Sequence, residues 1–277
     1  MSPPPAPQAA QAHHLEAAAR EVARRLGHPP ENAVILGSGL GPLAEELAGR
    51  VAMPVSEIPG HPLPRVEGHA GRWVKGLLGG VPVLALQGRS HFYEGYDMEQ
   101  VTFATVLLQR LGVRRLIVTN ASGAASPRVR PGDLMLITGA INFQLHQPRW
   151  SPAARRGMPL DLRLMAVAER VAAERGIPLR RGALLASCGP SYETPSEVRL
   201  IARFGADAAC MSTVPEILAA GQVGLRVLGI SCITNFGSGL SDRPLNHEEV
   251  MVTADRVAGR FRALVEGVLE VFHRENP

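Results

Sequence analysis

Four side chains that can bind an anion or move a proton lie close together, directly after an apolar run that ends at Leu86. They are Arg89, His91, Tyr93 and Glu94. An arginine guanidinium presents a fork of N–H donors suited to phosphate, and a histidine titrates near neutral pH. Glu94 is close enough in sequence to set the protonation of His91. The cluster therefore indicates an anion site, although a lone histidine in this position is more often structural.

A glycine-rich segment over residues 37–41, Gly-Ser-Gly-Leu-Gly, lies between a predicted strand and a predicted helix. Converging backbone N–H groups and a helix N-terminus favour an anion at such a point. The spacing differs from a dinucleotide-binding fingerprint, and no Gly-Lys-Ser/Thr follows as in a P-loop. Taken alone, the segment is either an anion site or a tight structural turn.

Further polar residues stand at element ends where a ligand could use them. Glu193 precedes a predicted helix and is either its cap or a ligand-binding carboxylate. Asn235 ends a predicted strand, where its amide needs partners for its donor and acceptor atoms. Ser212 is either an ordinary helix N-cap or a ligand contact. The small residues at 119–124 allow close approach of a ligand or close packing of a turn.

The elements that must position these residues alternate between apolar strands and amphipathic helices. Strands are predicted over 33–36, 74–78, 81–86, 115–119, 134–138, 182–187, 206–211 and 225–234, and helices over 14–26, 42–48, 98–111, 162–175, 195–204, 214–220 and 247–273. This alternation predicts an α/β fold, a single domain with a mixed central β-sheet flanked by helices. Ligands gather at the carboxyl ends of strands in such sheets. Because Ser38, Arg89, Asn120, Ser212 and Asn235 each follow a predicted strand, we expect them to meet there.

The composition is that of a soluble globular protein, with 45% hydrophobic and 19% charged residues in a chain of 277. A net charge of +4 suits a small anionic substrate or a merely solvated basic surface. The positive residues are scattered and aromatics make up only 4%, which argues against a nucleic-acid partner. Three cysteines lie in apolar stretches without metal-binding spacing, as is typical of buried thiols in a reducing compartment.

The ends of the chain and its hydropathy bear on location. Residues 1–12 are rich in proline and alanine and lack the regions of a signal peptide, so we expect a disordered tail. Residues 13–277 are expected to form one domain, without a linker or an internal repeat. No apolar run reaches the length of a membrane span. We therefore expect a cytoplasmic protein with no membrane association.

Eight segments resemble the trimeric, 6-oxopurine-specific purine nucleoside phosphorylases, the inosine-guanosine phosphorylase family. They are GSGLG at 37–41, GHAGR at 68–72, QGRSHFYEGY at 87–96, VTNASG at 118–123, GPSYETPSE at 189–197, GADAACMSTVPE at 205–216, ITN at 233–235 and NHEEV at 246–250. Any one of them could arise by chance. The complete set, in the family's order and over nearly the whole chain after the tail, is highly specific.

The resemblance implies a role for each matching residue. The implied phosphate contacts are Ser38, His69, Arg89, Ser90, His91, the Ala121 backbone and Ser212. The implied ribose contacts are Tyr93, Met211 and His247, and the implied purine contacts are Tyr192, Glu193 and Asn235. The implied catalytic residues are Asn235, Glu193, His91 and His247. The resemblance also implies a homotrimer that uses no metal and no cofactor, with inorganic phosphate as a co-substrate.

The implied reaction is phosphorolysis of ribonucleosides and deoxyribonucleosides such as inosine and guanosine, which yields the free base and a pentose 1-phosphate in purine salvage. Asn235 would donate to N7 of the leaving purine, through a hydrogen bond that strengthens as negative charge gathers there. Glu193 would accept from the N1–H, which adenine lacks. A site built around that hydrogen bond should reject adenosine by a large factor.

Three alternatives remain open at this stage. A methylthioadenosine phosphorylase, from the same superfamily, tends to carry Asp where Asn235 stands. A hydrolytic nucleosidase would not need phosphate. A non-catalytic nucleoside-binding homologue would follow from erosion of the segment 143–158, which is shorter than the family's loop and different from it. That loop tends to give an aromatic residue to a neighbouring subunit, and Phe143 and Trp150 are the candidates here.

Overall fold

The computed structural model describes residues 7–150, 159–241, 245 and 247–275. The strands are β1 Asn32–Leu36, β2 Ala48–Pro54, β3 Arg72–Leu78, β4 Val81–Gln87, β5 Arg115–Ala124, β6 Leu134–Asn142, β7 Leu179–Ala186, β8 Ala208–Cys210 and β9 Arg226–Phe236. The α-helices are α1 Pro7–Leu26, α2 Met98–Val101, α3 Phe103–Arg110, α4 Leu162–Glu174, α5 Pro195–Arg203, α6 Val214–Val223 and α7 His247–Glu275. The α/β class and the single domain are confirmed.

The strands form one mixed sheet in the order β2-β3-β4-β1-β5-β8-β7-β6-β9. β5 also pairs with β9, so β5, β8, β7, β6 and β9 close into a ring from which the other four strands extend. The pairings β4–β1, β1–β5 and β5–β9 are all parallel. The predicted mixed sheet is confirmed. The closure of the ring was not predicted, because hydrophobic periodicity does not report which strands pair.

Burial explains why the central strands are nearly continuous apolar runs. β1 is buried along its whole length, and β9 is buried from residue 227 to residue 235. Strands covered on both faces have no reason to alternate between apolar and polar residues. The longest helix, α7, buries Ala254, Val257 and Phe261 at helical spacing and packs against β9 and α4.

Several boundaries differ from the sequence-based expectations in ways that affect the site. The helix expected over 42–48 is a short 3-10 helix, Gly41–Glu46, followed by β2, whose mostly exposed residues show no alternating pattern. β5 and β9 continue past their predicted ends, so Asn120 and Asn235 lie inside strands rather than after them. These two amides are therefore held by sheet backbone, which restricts their positions more than a loop would.

The first helix begins at Pro7, so residues 7–12 of the expected tail are helical. Alanine and glutamine are good helix formers, and proline is well tolerated at the first helical position. Burial of Leu15, Ala18 and Val22 anchors the helix. Residues 1–6 lie outside the described part of the chain.

Candidate active site

One cleft, with a volume of about 240 Å³, collects most of the residues singled out from the sequence. Twelve of them line it: Ser38, His69, Arg89, His91, Tyr93, Asn120, Ala121, Tyr192, Glu193, Met211, Ser212 and Asn235. The parallel pairing of β4, β1, β5 and β9 brings their carboxyl ends to one edge of the sheet. β8 arrives beside them because it pairs antiparallel with the end of β5, at Gly123 and Ala124.

Two predicted residues are not placed among those that line the cleft. Ser90 is buried, and its hydroxyl donates to the Pro62 carbonyl oxygen at 3.3 Å. Successive side chains of an extended segment point to opposite sides, so Ser90 faces away when Arg89 and His91 face the cleft. This placement does not support a phosphate contact by the Ser90 side chain. His247 begins α7, but its side chain lies outside the described part of the structure.

Arg89 lines the cleft with both of its terminal nitrogens already bonded to the protein. Nη1 donates to Thr213 Oγ1 at 2.7 Å and to Ser212 Oγ at 3.1 Å. The same nitrogen lies 3.2 Å from the buried carboxylate of Glu216, and Nη2 donates to the Thr119 carbonyl oxygen. Nε is buried and has no hydrogen-bond partner among the described residues. The guanidinium is therefore not a free fork for an anion, because its terminal nitrogens are engaged and its Nε is enclosed.

Thr213 adopts φ +69° and ψ −48°, a conformation that β-branched residues rarely take. The N–H of the next residue donates to the Ser212 carbonyl oxygen at 2.7 Å and closes a three-residue γ-turn. Arg89 and Asn120 both donate to Thr213 Oγ1, and the Thr213 N–H donates to Glu216. These hydrogen bonds keep Thr213 in a backbone conformation that costs roughly 1–3 kcal/mol of strain. Thr213 is the N-cap residue of α6, so Ser212 is not the cap.

His91 and Glu94 are paired, as their spacing predicted. His91 Nδ1 lies 2.9 Å from Glu94 Oε1, which also accepts from the His91 backbone N–H at 2.7 Å. Burial alone raises the pKa of Glu94, but hydrogen bonds from the His91 ring and the Arg65 N–H outweigh it and lower that pKa. The Tyr93 ring stacks on His91 with centroids 4.9 Å apart. Burial raises the pKa of Tyr93 to about 12, so its phenol stays neutral and can donate.

His69 joins the glycine-rich segment to Arg89. Its Nε2 lies 3.1 Å from Ser38 Oγ, and its Nδ1 lies 3.0 Å from the Arg89 backbone nitrogen and 2.8 Å from that residue's carbonyl oxygen. Burial, and then the nearby His91, lowers the pKa of His69 to about 4. His69 is therefore a neutral hydrogen-bonding group near pH 7, not a cationic phosphate ligand.

The glycine-rich segment itself is a tight turn with one polar side chain in the cleft. The Leu40 N–H donates to the Gly37 carbonyl oxygen at 3.0 Å. Gly39 has φ +74°, and a Cβ at that position would lie 2.4 Å from the Ala254 Cβ on α7. The third position therefore requires glycine for packing, while Ser38 faces the cleft. The structural and the ligand-binding interpretations of this segment are compatible.

Glu193 faces the cleft and does not cap the helix that follows it. Thr194 caps α5, because its hydroxyl accepts from the Glu197 N–H at 3.3 Å. Glu193 Oε1 instead accepts from Ser187 Oγ at 2.6 Å. Among the described residues this is the one hydrogen bond to the carboxylate, so Oε2 is available to a ligand.

Asn235 is oriented by its neighbours on β9. Its Nδ2 donates to the Phe236 carbonyl oxygen at 3.0 Å, and its Oδ1 accepts from Thr234 Oγ1 at 2.9 Å. A carboxamide has two N–H donors and two lone pairs on its oxygen. With respect to the described residues, one donor and one acceptor position therefore remain for a ligand in the cleft.

Four buried or half-buried residues support these contacts without having been singled out from the sequence: Ser187, Thr213, Glu216 and Gln144. Glu216 carries a local signal, because a glutamate three residues after a threonine is a capping box. Its second partner, Arg89, is distant in sequence and has no such signal. Gln144 lies in the segment after β6, and its amide donates to the carbonyl oxygens of Ser187 and Met211, which directly follow β7 and β8. No local sequence pattern predicts these contacts.

The cysteines divide into two kinds. Cys210 and Cys232 are buried, and burial raises the pKa of each thiol to about 12, which makes both unreactive. Cys188 is exposed, contrary to expectation, because it lies in the loop after β7 rather than in the strand. Within the described ranges, no group of three or more His, Cys, Asp or Glu could hold a metal ion. None of the helices there is long and apolar enough to cross a membrane.

Comparison with known proteins shows which protein family this chain resembles. A model of the phosphorylase superfamily matches residues 31–270. Purine nucleoside phosphorylase 1 of Bacillus subtilis is 46% identical over 263 residues, which cover 92% of this chain and 97% of that protein. The purine nucleoside phosphorylase of Bos taurus is 39% identical over 251 residues, which cover 85% of this chain and 87% of that protein.

Solved structures agree with the sequence relatives. The purine nucleoside phosphorylase of Schistosoma mansoni in complex with inosine has a TM-score of 0.85 at 30% identity, over 93% of this chain and 96% of that one. The same enzyme in complex with adenosine gives a TM-score of 0.85 at 31% identity, with the same coverage.

Proposed function

The chain belongs to the phosphorylase superfamily and, within it, to the purine nucleoside phosphorylases, and from that membership we propose that it cleaves 6-oxopurine nucleosides with inorganic phosphate. Inosine and guanosine, with their deoxy forms, are the proposed substrates. The products are the free base and ribose or deoxyribose 1-phosphate, in purine salvage. One observation supports the choice of base above all: a carboxylate, Glu193, and a carboxamide, Asn235, line the same cleft as the phosphate candidates.

The proposed chemistry is a displacement at the anomeric carbon. The bond between C1′ and N9 breaks, its electron pair goes to the purine, and a phosphate oxygen bonds to C1′. Phosphate is already an anion and needs positioning more than a base. Ser38, His91, Ser212 and Arg89 are the proposed donors around it. Its negative charge also stabilises the cationic ribose of the transition state.

The leaving purine gathers negative charge as the bond breaks. The spare N–H of Asn235 is proposed to donate to N7, where it binds the departing base more tightly than the substrate. Because Thr234 and Phe236 already hold the amide, little reorganisation is needed when the charge develops. Tyr93, Met211 and His247 are the proposed ribose contacts, and Tyr192 is proposed to contact the base.

Base selectivity is assigned to Glu193. Its Oε2 is proposed to accept from the N1–H of hypoxanthine or guanine, and from the 2-amino group of guanine. Adenine has a lone pair at N1, which would leave the carboxylate without a partner in a closed site. A buried polar group that is left without a partner disfavours the wrong substrate far more strongly than a difference in shape does.

We also propose a cytoplasmic homotrimer that works without a metal or an organic cofactor. An apolar surface patch supports self-association: the rings of Phe143 and Phe204 lie 5.7 Å apart at a tilt of 51°, the two residues are 39% and 48% exposed, and Leu145 is 80% exposed. Trp150 is held within its own chain, because its Nε1 donates to Thr102 at 2.7 Å. Phe143 is therefore the aromatic residue available to a neighbouring subunit. Light scattering should give the mass of three chains, and a monomer at micromolar concentration would contradict this assignment.

The decisive assay compares inosine, guanosine and adenosine with and without phosphate. We expect cleavage of inosine and guanosine only with phosphate, at a kcat/KM at least about a hundredfold above that of adenosine. Cleavage without phosphate would indicate a hydrolase. Adenosine turnover at a comparable rate would favour the 6-aminopurine branch of the superfamily, and tight inosine binding without cleavage would indicate a non-catalytic homologue.

A further inference from the structure

Ser187, the first residue after β7, makes the contact that orients the Glu193 carboxylate. Its Oγ donates to Glu193 Oε1 at 2.6 Å, a distance typical of strong hydrogen bonds to carboxylate oxygens. In the described part of the chain no other group bonds to this carboxylate. The contact occupies one oxygen and leaves the other for a ligand.

The backbone of Ser187 is fixed on both of its polar groups. Its N–H donates to the Cys210 carbonyl oxygen at 2.8 Å. Its carbonyl oxygen accepts from Gln144 Nε2 at 3.0 Å, and the same amide nitrogen lies 3.3 Å from the Met211 carbonyl oxygen. Gln144 is 1% exposed. The hydroxyl of Ser187 therefore projects from a backbone position that two neighbouring segments hold.

Glu193 itself has little else to hold it. The residue is only half-buried, it lies in the loop before α5, and the adjacent Tyr192 is exposed. A glutamate side chain with free torsions must be ordered when it binds a ligand, and this ordering costs conformational entropy. A hydroxyl that orders the carboxylate beforehand removes part of that cost, and it does so only for ligands that use the fixed orientation.

We propose that Ser187 is a positioning residue for base recognition: its hydroxyl holds Glu193 so that Oε2 meets the N1–H of a 6-oxopurine. Ser187 does not touch the substrate in this arrangement and takes no part in the chemical step. The inference rests on the proposed function, since it assumes that Glu193 reads the base. It follows that selectivity against adenosine depends on a hydroxyl at position 187.

The test compares Ser187→Ala with wild type in phosphorolysis of inosine and adenosine. We expect the KM for inosine to rise about five- to tenfold, the size of a typical net hydrogen-bond contribution, because the lost hydroxyl orders Glu193 without touching the substrate. The inosine-to-adenosine ratio of kcat/KM should fall by a similar factor, while the KM for phosphate stays within about twofold. Ser187→Thr retains the hydroxyl and should restore the ratio. Should the alanine variant not fold, Ser187→Cys, a weak donor of similar size, takes its place with the same expectation.

Ser126→Ala is the matched control, because it removes a hydroxyl that donates to the Asp207 carboxylate at 2.7 Å, and neither residue lines the cleft. It should leave inosine selectivity unchanged. Hypoxanthine binding, measured by calorimetry, should weaken for Ser187→Ala and not for Ser126→Ala. A Ser187→Ala enzyme with wild-type KM, selectivity and hypoxanthine affinity would overturn the assignment of Ser187. A wild-type protein unable to cleave inosine with phosphate would instead contradict the proposed function.

Discussion

The guanidinium of Arg89 lies 3.2 Å from the carboxylate of Glu216, and both side chains are buried. The pair joins the segment after β4 to the first turn of α6. Thr213 is bonded to both partners, through its Oγ1 and its N–H. Ser212 stands immediately before this junction, so the buried ion pair sets the position of a proposed phosphate contact.

Loss of this carboxylate should destabilise the protein strongly. Glu216→Ala leaves a buried guanidinium without its counter-charge, for which about 3–5 kcal/mol of unfolding free energy is expected. Urea denaturation measures this loss of unfolding free energy. Glu21→Ala removes an exposed carboxylate paired with Arg24 and should leave the midpoint unchanged. Equal midpoints for Glu216→Ala and wild type would show that Arg89 is satisfied without Glu216.

Removal of the Asn235 amide should affect turnover rather than phosphate binding. The amide is the proposed donor to N7, and loss of one preorganised donor to a developing charge typically costs about a hundredfold in rate. Asn235→Ala should therefore lower kcat for inosine by about that factor while the KM for phosphate changes little. Steady-state kinetics with each substrate varied in turn separates the two effects. An unchanged kcat would exclude Asn235 from the mechanism.

Much of this arrangement is predictable from the sequence because it depends on local patterns. The hairpin of β3 and β4, with Gly79 and Gly80 between them, follows from apolar runs and turn residues, and the pairing Leu78–Val81 confirms it. The His91–Glu94 contact follows from a spacing of three residues. Segments after parallel strands gather at one edge as a consequence of fold class.

The remainder depends on contacts between distant segments. The pairing of β5 with both β8 and β9 decides which loops share the cleft, and no periodicity encodes it. The residue type of Arg89 predicts a guanidinium that is free to bind an anion, yet this guanidinium already contacts Thr213 and Glu216. Ser90 lies between two residues that face the cleft and faces away itself. Only the folded geometry distinguishes a group that binds a ligand from one that holds such a group.

A half-buried histidine with an enclosed ring nitrogen, outside the proposed chemistry, should make stability depend on pH. Burial lowers the pKa of His61 to about 4, and its ring lies edge-on to Trp73 and Phe103. Between that value and the unfolded value near 6.5 the unfolded chain binds the extra proton, so stability falls as pH decreases through this window. The loss attributable to His61 is on the order of 3 kcal/mol.

His61→Phe should therefore reduce the pH dependence of the unfolding free energy between about pH 4 and pH 6.5 by the share of one histidine, while His69, whose pKa is also lowered to about 4, keeps its own share. Urea denaturation at half-unit intervals of pH provides the measurement. His28 is exposed, so His28→Gln should leave the curve as in wild type. A wild-type curve for His61→Phe would mean that His61 takes up its proton without unfolding.

The strained residue at the start of α6 gives a prediction in which glycine should be better tolerated than alanine. At φ +69° an alanine keeps the unfavourable backbone conformation of Thr213, whereas glycine adopts it readily. Both substitutions delete Oγ1 and with it the hydrogen bonds from Arg89 and Asn120. The two variants therefore differ mainly in strain, and Thr213→Ala should be less stable than Thr213→Gly by about 1 kcal/mol, although glycine is normally the more costly residue.

Urea denaturation of the pair measures the difference. A less stable glycine variant would mean that the turn relaxes when its side chain is lost, and that the strain is imposed by Oγ1 rather than by the backbone around Ser212.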